Sequence, residues 1–200
     1  MSNLSTKKNL ALKISYSAIF GALAAVVSLL KIKFPMPILF WLKFDFAEIP
    51  DFLAFYVGGL SVGITTTLIH YIILNLGVPV HPVIGPLAKL TAVISMMIGI
   101  SILRVIRKST GLLSELVSAI VFRVIIMTFM NIAIYYIFIP NVLEKLPQIL
   151  KPFFGEIGSI EAAFLIVLGL TGIYNALHAI LTVVVSNRIY IAAKRYLGIK

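Results

Sequence analysis

The sequence has 200 residues, of which 60% are hydrophobic and only 12% are charged. A soluble domain usually has about 45–50% apolar and about 25% charged residues. The composition therefore excludes a water-soluble domain, a nucleic-acid-binding arm and a disordered tail as descriptions of the whole chain, despite its net charge of +10. It predicts a single membrane domain over residues 1–200, embedded in a lipid bilayer, with no nucleic acid as a partner.

Apolar runs and the breaks between them predict six helices. A helix needs about 20 apolar residues to span a bilayer, and four of the six runs reach that length. The second and third runs are short and are separated only by a glycine pair, which allows a tight turn, so we expect a hairpin there. The predicted helices cover residues 9–30, 48–58, 61–76, 84–106, 112–139 and 161–196.

Three connections are rich in proline, which cannot continue a helix. Residues 77–83 contain Pro79 and Pro82 and are predicted to form a loop. The apolar segment 31–47 contains Pro35, Pro37 and the only tryptophan, Trp41, so we expect it to lie at the headgroup level. A second long connection covers 140–160.

The distribution of basic residues predicts the orientation in the membrane. On the six-helix interpretation, the side that holds both termini carries more lysine and arginine than the opposite side, including Arg104, Arg107, Arg188 and Arg195. Basic residues favour the cytoplasmic side. We therefore expect a multi-pass protein of the plasma membrane with both termini in the cytoplasm and the two long loops outside.

Polar residues within the predicted spans include Lys89, Arg123, Asn131, Asn175 and His178. Polar groups at membrane depth are costly and often functional, and Asn175 and His178 share a helix face because they are three residues apart. Hydrogen bonds between helices would also explain the two asparagines. Lys89 could instead extend to the outer interface, and we interpret Arg123 as an interfacial or partner-facing charge rather than a ligand contact.

Most catalytic motifs are missing from the sequence. There is no Walker loop, so the chain by itself has no means of gripping ATP phosphates, and its three histidines are too scattered to predict a metal site. The segment Gly59-Leu60-Ser61-Val62-Gly63 has the form of a nucleophile motif but lacks the strand-to-helix context. An intramembrane serine protease would need Ser61 to pair with His70 or His178. A turn with small residues is the simpler interpretation.

The first predicted helix has two faces with small residues four apart, Ala18 with Ala22 and Gly21 with Ala25. Such faces allow close approach of another helix. Spacing alone leaves open whether that helix belongs to this chain or to a partner.

Four stretches resemble one known family. These are Leu42-Lys-Phe-Asp-Phe-Ala-Glu-Ile-Pro50, Gly85-Pro-Leu-Ala-Lys89, Arg123-Val-Ile-Ile-Met-Thr-Phe-Met-Asn131 and Tyr174-Asn-Ala-Leu-His178. In this order on a six-helix chain, they resemble the substrate-binding S components of energy-coupling-factor (ECF) vitamin transporters, most closely the riboflavin-specific ones.

The resemblance implies an all-α bundle of six transmembrane helices in which L1, the long loop between the first and second helices, caps an outward-facing pocket. It implies a non-enzymatic subunit that binds riboflavin as cargo, holds no resident cofactor or metal, and works with a membrane T component and two cytoplasmic ATPases. Ala18 and Ala22 match the family's A-x-x-x-A contact with the T component.

The resemblance also implies the binding residues. Asn131 and Asn175 match positions beside the flavin in riboflavin binders, whereas His178 stands at a lysine position and Lys89 at an asparagine position. Because of these two exchanges, the transported vitamin could instead be a different one, such as thiamine, biotin, folate or pantothenate. The substrate-binding set implied is Asn131, Asn175, His178 and Lys89 on the helices, with Trp41, Leu42, Phe44 and Asp45 on L1.

Overall fold

The computed structural model describes residues 2–76, 83–107 and 109–197, with side chains from residue 9 onward. Of the predicted loop 77–83, all but Val83 lies outside the described residues. The α-helices of the described chain are α1 (Ser2–Leu29), α2 (Glu48–Leu76), α3 (Ile84–Ile106), α4 (Leu112–Ala133), α5 (Pro140–Leu143), α6 (Leu146–Phe154) and α7 (Ile160–Tyr196). A π-helical segment covers Ile134–Phe138, and two short strands are β1 (Lys33–Pro35) and β2 (Lys43–Asp45).

Helix α2 is a hairpin that turns at Gly59. This residue has φ of 79° and ψ of −174°, a conformation that favours glycine because a side chain would be strained there. Nδ1 of His70 lies 2.8 Å from Oδ2 of Asp51, although a straight helix would separate these residues by about 28 Å. The chain therefore reverses direction at Gly59, as the glycine pair predicts. Among the described residues, α1, the two arms of α2, α3, α4 and α7 then form six bundle helices.

The two arms of α2, residues 48–58 and 60–76, approach closely because Gly63 has no side chain. A Cβ atom on Gly63 would lie 2.8 Å from Cβ of Phe55 on the other arm. The core cluster next to this contact contains Phe52 and Phe55 together with four residues of α3, and residues of α4 and α7 complete it. The hairpin is thus packed into the centre of the bundle.

The outer surface of the bundle is apolar. Five segments, one of them α2, are long and apolar enough to cross a membrane within the part of the chain that the structure describes. Large apolar side chains such as Val105, Phe129 and Leu165 are exposed. In water such a surface would favour association, whereas lipid solvates it. The protein is therefore a multi-pass membrane protein.

The two small-residue faces of α1 have different environments. Gly21 is buried, and a Cβ atom there would lie 2.8 Å from Cγ2 of Ile69 on α2. Ala25 is also buried, but Ala18 and Ala22 are exposed. The Gly21 face therefore packs inside the bundle, and the Ala18 face remains on the surface.

L1 and α6 cover one end of the bundle. Strands β1 and β2 pair antiparallel, with Phe34 opposite Phe44, and the turn between them buries Leu39 completely. Leu39 belongs to a second apolar cluster with Leu146 and Leu150 of α6 and the first turns of α7. This cluster fixes the loop to the bundle.

Three elements differ from the sequence prediction. The predicted loop 31–47 contains the β1–β2 hairpin, and the predicted connection 140–160 contains α5 and α6, where Pro147 occupies a first-turn position that tolerates proline. The predicted helix 112–139 changes to π-helix after Ala133, since the Ile139 N–H bonds to the Ile134 carbonyl at 2.9 Å. This change places the break directly before Pro140.

Candidate functional site

A cavity of about 350 Å³ lies beneath L1 among helices α2, α3, α4 and α7. Its size is in the range of small-molecule sites, about 300–1,000 Å³. The structure brings seven of the eight implied binding residues to its wall. They are Trp41, Leu42, Asp45, Lys89, Asn131, Asn175 and His178.

Phe44 is the exception, because it is not part of the described cavity wall. Its ring lies 4.7 Å from that of Tyr174 and 5.6 Å from that of His178, measured between centroids. Phe44 therefore packs against two lining residues, and its contact with the ligand stays a prediction.

An ion pair between Arg123 and Glu48 forms part of the cavity wall. Nη1 of Arg123 donates to Oε2 of Glu48 at 2.6 Å, and Nη2 donates to Oε1 at 3.0 Å. Both side chains are only 2% exposed, and Thr182 also donates to Glu48. The interpretation of Arg123 as an interfacial or partner-facing charge is therefore wrong, because a carboxylate across the bundle pairs with it.

Asn175 and His178 complete the surroundings of Arg123. Nε of Arg123 donates to Oδ1 of Asn175 at 3.1 Å, and Nη2 donates to Nδ1 of His178 at 3.2 Å. A carbonyl oxygen only accepts, so Nε2 of His178 donates to the carbonyl oxygen of Asp45 at 3.1 Å. Nδ1 of the same ring also lies 3.1 Å from the Tyr174 hydroxyl. His178 therefore binds the end of L1.

Asn131 is less fully engaged than Asn175. Its Nδ2 donates to the carbonyl oxygen of Met127 in the same helix at 2.7 Å. Among the described residues we find no donor to its Oδ1, so an amide hydrogen and an oxygen of Asn131 are available at the cavity. Interhelical bonding therefore explains Asn175, which reaches Arg123, but not Asn131.

Lys89 ties α3 to L1. Its Nζ lies 2.9 Å from Oδ1 and 2.8 Å from Oδ2 of Asp45, and the same carboxylate accepts from the Ala47 N–H at the start of α2. The alternative that Lys89 extends to the outer interface is wrong, because it points to this carboxylate and lines the cavity.

The cavity wall has an excess of positive charge. The lining includes Lys33, Lys43, Lys89 and Arg123 but only two carboxylates, those of Asp45 and Glu48. Burial lowers the pKa of the Lys33 amine, and the negative charge of Asp45 acts in the opposite direction. The wall therefore favours electron-rich or anionic groups.

Sequence reasoning missed Glu48, Lys33 and Ser28 as lining residues. Glu48 stands within the resemblance motif beside Asp45, and that proximity was the only signal for it. Lys33 and Ser28 have no motif, and only the folding of L1 over the end of α1 brings them to the cavity.

The protease alternative fails on geometry. Ser61 is exposed beside the turn of α2, and no histidine in the described chain pairs with its hydroxyl. His70 is instead engaged by Asp51 and Ser28, and His178 by Arg123. The Gly59–Gly63 segment is a structural turn.

No family model matches the sequence, and no curated protein matches it. The fold is similar to that of a solved structure described as "Structure and mechanism of the S component of a bacterial ECF transporter", with a TM-score of 0.68 and 20% sequence identity. The similarity covers 94% of this chain and 98% of the other. The chain therefore has the fold of an ECF-transporter S component, an all-α membrane bundle.

Proposed function

We propose that this protein is the substrate-binding S component of an ECF-type vitamin transporter and that its cargo is riboflavin. The single observation that carries the proposal is the cavity of about 350 Å³ beneath L1, inside a bundle of S-component fold. The protein itself performs no chemistry on its cargo.

The cavity has the features that a flat heterocycle needs. Asn131 offers both a donor and an acceptor, which suits the uracil-like edge of riboflavin. The rings of Trp41 and Tyr174 and the apolar chains of Leu42 and Met127 line the remaining wall. A mostly apolar wall with a few placed polar groups is the usual form of a small-molecule site.

Transport requires partners, which we propose to be a membrane T component and two cytoplasmic ATPases. The chain lacks a Walker loop, so the energy must come from elsewhere. The exposed Ala18 and Ala22 on α1 form a surface that another helix can approach closely. With both termini in the cytoplasm of a plasma-membrane protein, the cavity and L1 face outward.

Ligand binding by the purified protein tests the proposal. We expect detergent-purified protein to bind riboflavin in a fluorescence-quenching titration and Asn131→Ala to weaken that binding without changing the unfolding temperature. Asn75→Ala is the matched control, because Asn75 makes the same amide bond to its own helix at 2.8 Å but lies outside the cavity wall. Wild-type protein that binds no riboflavin would refute the flavin assignment.

Uptake experiments test the partner surface. Ala18→Trp or Ala22→Trp should abolish riboflavin uptake in cells that express the complete transporter, while purified variants still bind riboflavin, because the indole blocks close approach of the partner helix. Leu165→Trp, on the exposed face of α7, is the control and should transport normally. Normal uptake by both alanine variants would exclude this face of α1 as the docking site.

A second candidate cargo is an acidic vitamin such as biotin, folate or pantothenate. The excess of basic over acidic side chains around the cavity favours it. Competition between riboflavin and each of these vitamins for purified protein distinguishes the two candidates, since only the true cargo displaces the other at low concentration.

A further inference from the structure

Three buried side chains form a hydrogen-bonded chain that ends at the cavity. Oδ2 of Asp51 lies 2.8 Å from Nδ1 of His70, and Nε2 of His70 lies 2.8 Å from Oγ of Ser28. The residues come from the first arm of α2, the second arm of α2 and the end of α1. All are buried, and of the three only Ser28 belongs to the cavity wall.

The burial of Asp51 determines the direction of these hydrogen bonds. Its Oδ1 is buried and has no partner among the described residues, so His70 is the one described side chain that forms a hydrogen bond with the carboxylate. An unpaired buried charge is very costly. The Asp51–His70 pair is therefore neutral as a whole, with one proton between the carboxylate and Nδ1, and in that state Nε2 also carries a hydrogen and donates to Ser28.

The hydroxyl hydrogen of Ser28 then has no acceptor within its own helix. Serine and threonine in helices commonly donate to the carbonyl four residues earlier, as Thr67 and Thr171 do here at 2.9 and 2.7 Å. Ser28 makes no such bond in the described structure, because its oxygen is turned toward His70. Its hydrogen is left to the cavity.

We infer that Ser28 is a hydrogen-bond donor to the cargo, and that His70 and Asp51 are positioning residues which hold its hydroxyl in that direction. The ligand atom that accepts this hydrogen bond belongs to a group such as a carbonyl, a ring nitrogen or a carboxylate. The inference rests on the proposed function and extends it, because it assigns one wall of the cavity a definite polarity.

Riboflavin titration of purified variants tests the inference. Loss of one hydrogen bond should raise the Kd of Ser28→Ala about three- to tenfold. Ser17→Ala is the matched control, since Ser17 is buried on the same helix and its hydroxyl contacts the Val62 carbonyl at 3.4 Å, away from the cavity. Its Kd should stay within twofold of the wild type.

The two His70 variants separate positioning from simple packing. His70→Gln retains a side-chain donor for Ser28 and should bind riboflavin nearly as the wild type does. His70→Leu removes that donor and should raise the Kd as much as Ser28→Ala. If Ser28→Ala does not fold, this comparison carries the test alone, and equal Kd values for the two variants would overturn the inference.

The failure of the inference is distinguishable from failure of the proposed function. Wild-type binding with equal Kd values for Ser28→Ala and Ser17→Ala would overturn only the role of Ser28. If the wild type binds biotin, folate, pantothenate or thiamine instead of riboflavin, the same titrations are made with that vitamin. If it binds none of the five, the proposed function is refuted, and the role of Ser28 is refuted with it.

Discussion

Neutralising Glu48 should destabilise the whole bundle, because it leaves the guanidinium of Arg123 buried without a counter-charge. The two side chains join α2 to α4 through two hydrogen bonds of 2.6 and 3.0 Å, and each is 2% exposed. Removing one partner of a buried pair costs about 3–5 kcal/mol. Glu48→Gln keeps one oxygen as an acceptor, so we expect the lower end, about 3 kcal/mol.

Thermal unfolding in detergent measures this effect. For soluble domains of 150–250 residues, 1 kcal/mol corresponds to about 2–4 °C, so Glu48→Gln should lower the Tm by about 6–12 °C. Lys151 and Glu156 form the control pair, at 3.0 Å but with side chains 62% and 87% exposed. Lys151→Met should change the Tm little, because exposed pairs contribute little.

The double variant Glu48→Gln with Arg123→Met provides the decisive comparison. It removes both charges, and replacing a whole buried pair is often close to neutral. Its Tm should therefore lie well above the value obtained by adding the two single losses. A Tm loss below about 2 °C for Glu48→Gln, less than 1 kcal/mol, or simple additivity in the double variant, would refute this reasoning.

Three further variants have definite expected outcomes. Lys89→Met removes the ionic tie between L1 and α3 and should increase the riboflavin dissociation rate in stopped-flow measurements; an unchanged rate would mean that the tie does not hold the loop closed. Gly59→Ala places a side chain at φ of 79° and ψ of −174° and should cost about 1–3 kcal/mol, measured as a lower Tm, although no atom lies within 4 Å of the added Cβ. Asn175→Ala removes the acceptor of Arg123 Nε and should lower both the Tm and riboflavin affinity, whereas an unchanged Tm would show that Arg123 does not need it.

The long helices of the bundle could be predicted from the sequence, and the short helices and strands could not. Long apolar runs indicate spans directly, and Gly58-Gly59 marks the one place where a run must fold back. By contrast, three-residue strands such as Lys33–Pro35 are too short for a periodic pattern. Helix α6 contains two prolines, and only the burial of Leu146 and Leu150 against L1 explains why it forms.

The site shows a similar division. Asn131, Asn175 and His178 could be predicted as site residues because they are polar and stand within apolar runs. The free-energy cost of a polar group at membrane depth makes such positions recognisable in the sequence. The partners of such residues are not visible, since Arg123 is 75 positions from Glu48 and Ser28 is 42 from His70. The position of a polar residue within an apolar run gives its depth in the membrane and its face on the helix. The packing of the helices decides whether that residue is paired within the protein or available to a ligand.

The same residues that line the cavity also hold its cap. Nε2 of His178 donates to the Asp45 carbonyl at 3.1 Å, and the Tyr174 hydroxyl donates to the Lys43 carbonyl at 2.8 Å. Together with the Lys89–Asp45 pair, these bonds attach L1 to α7 and α3. A ligand that displaces any of these side chains also loosens L1. Ligand recognition and loop closure therefore depend on one set of contacts. A cargo that leaves these contacts intact is retained beneath L1.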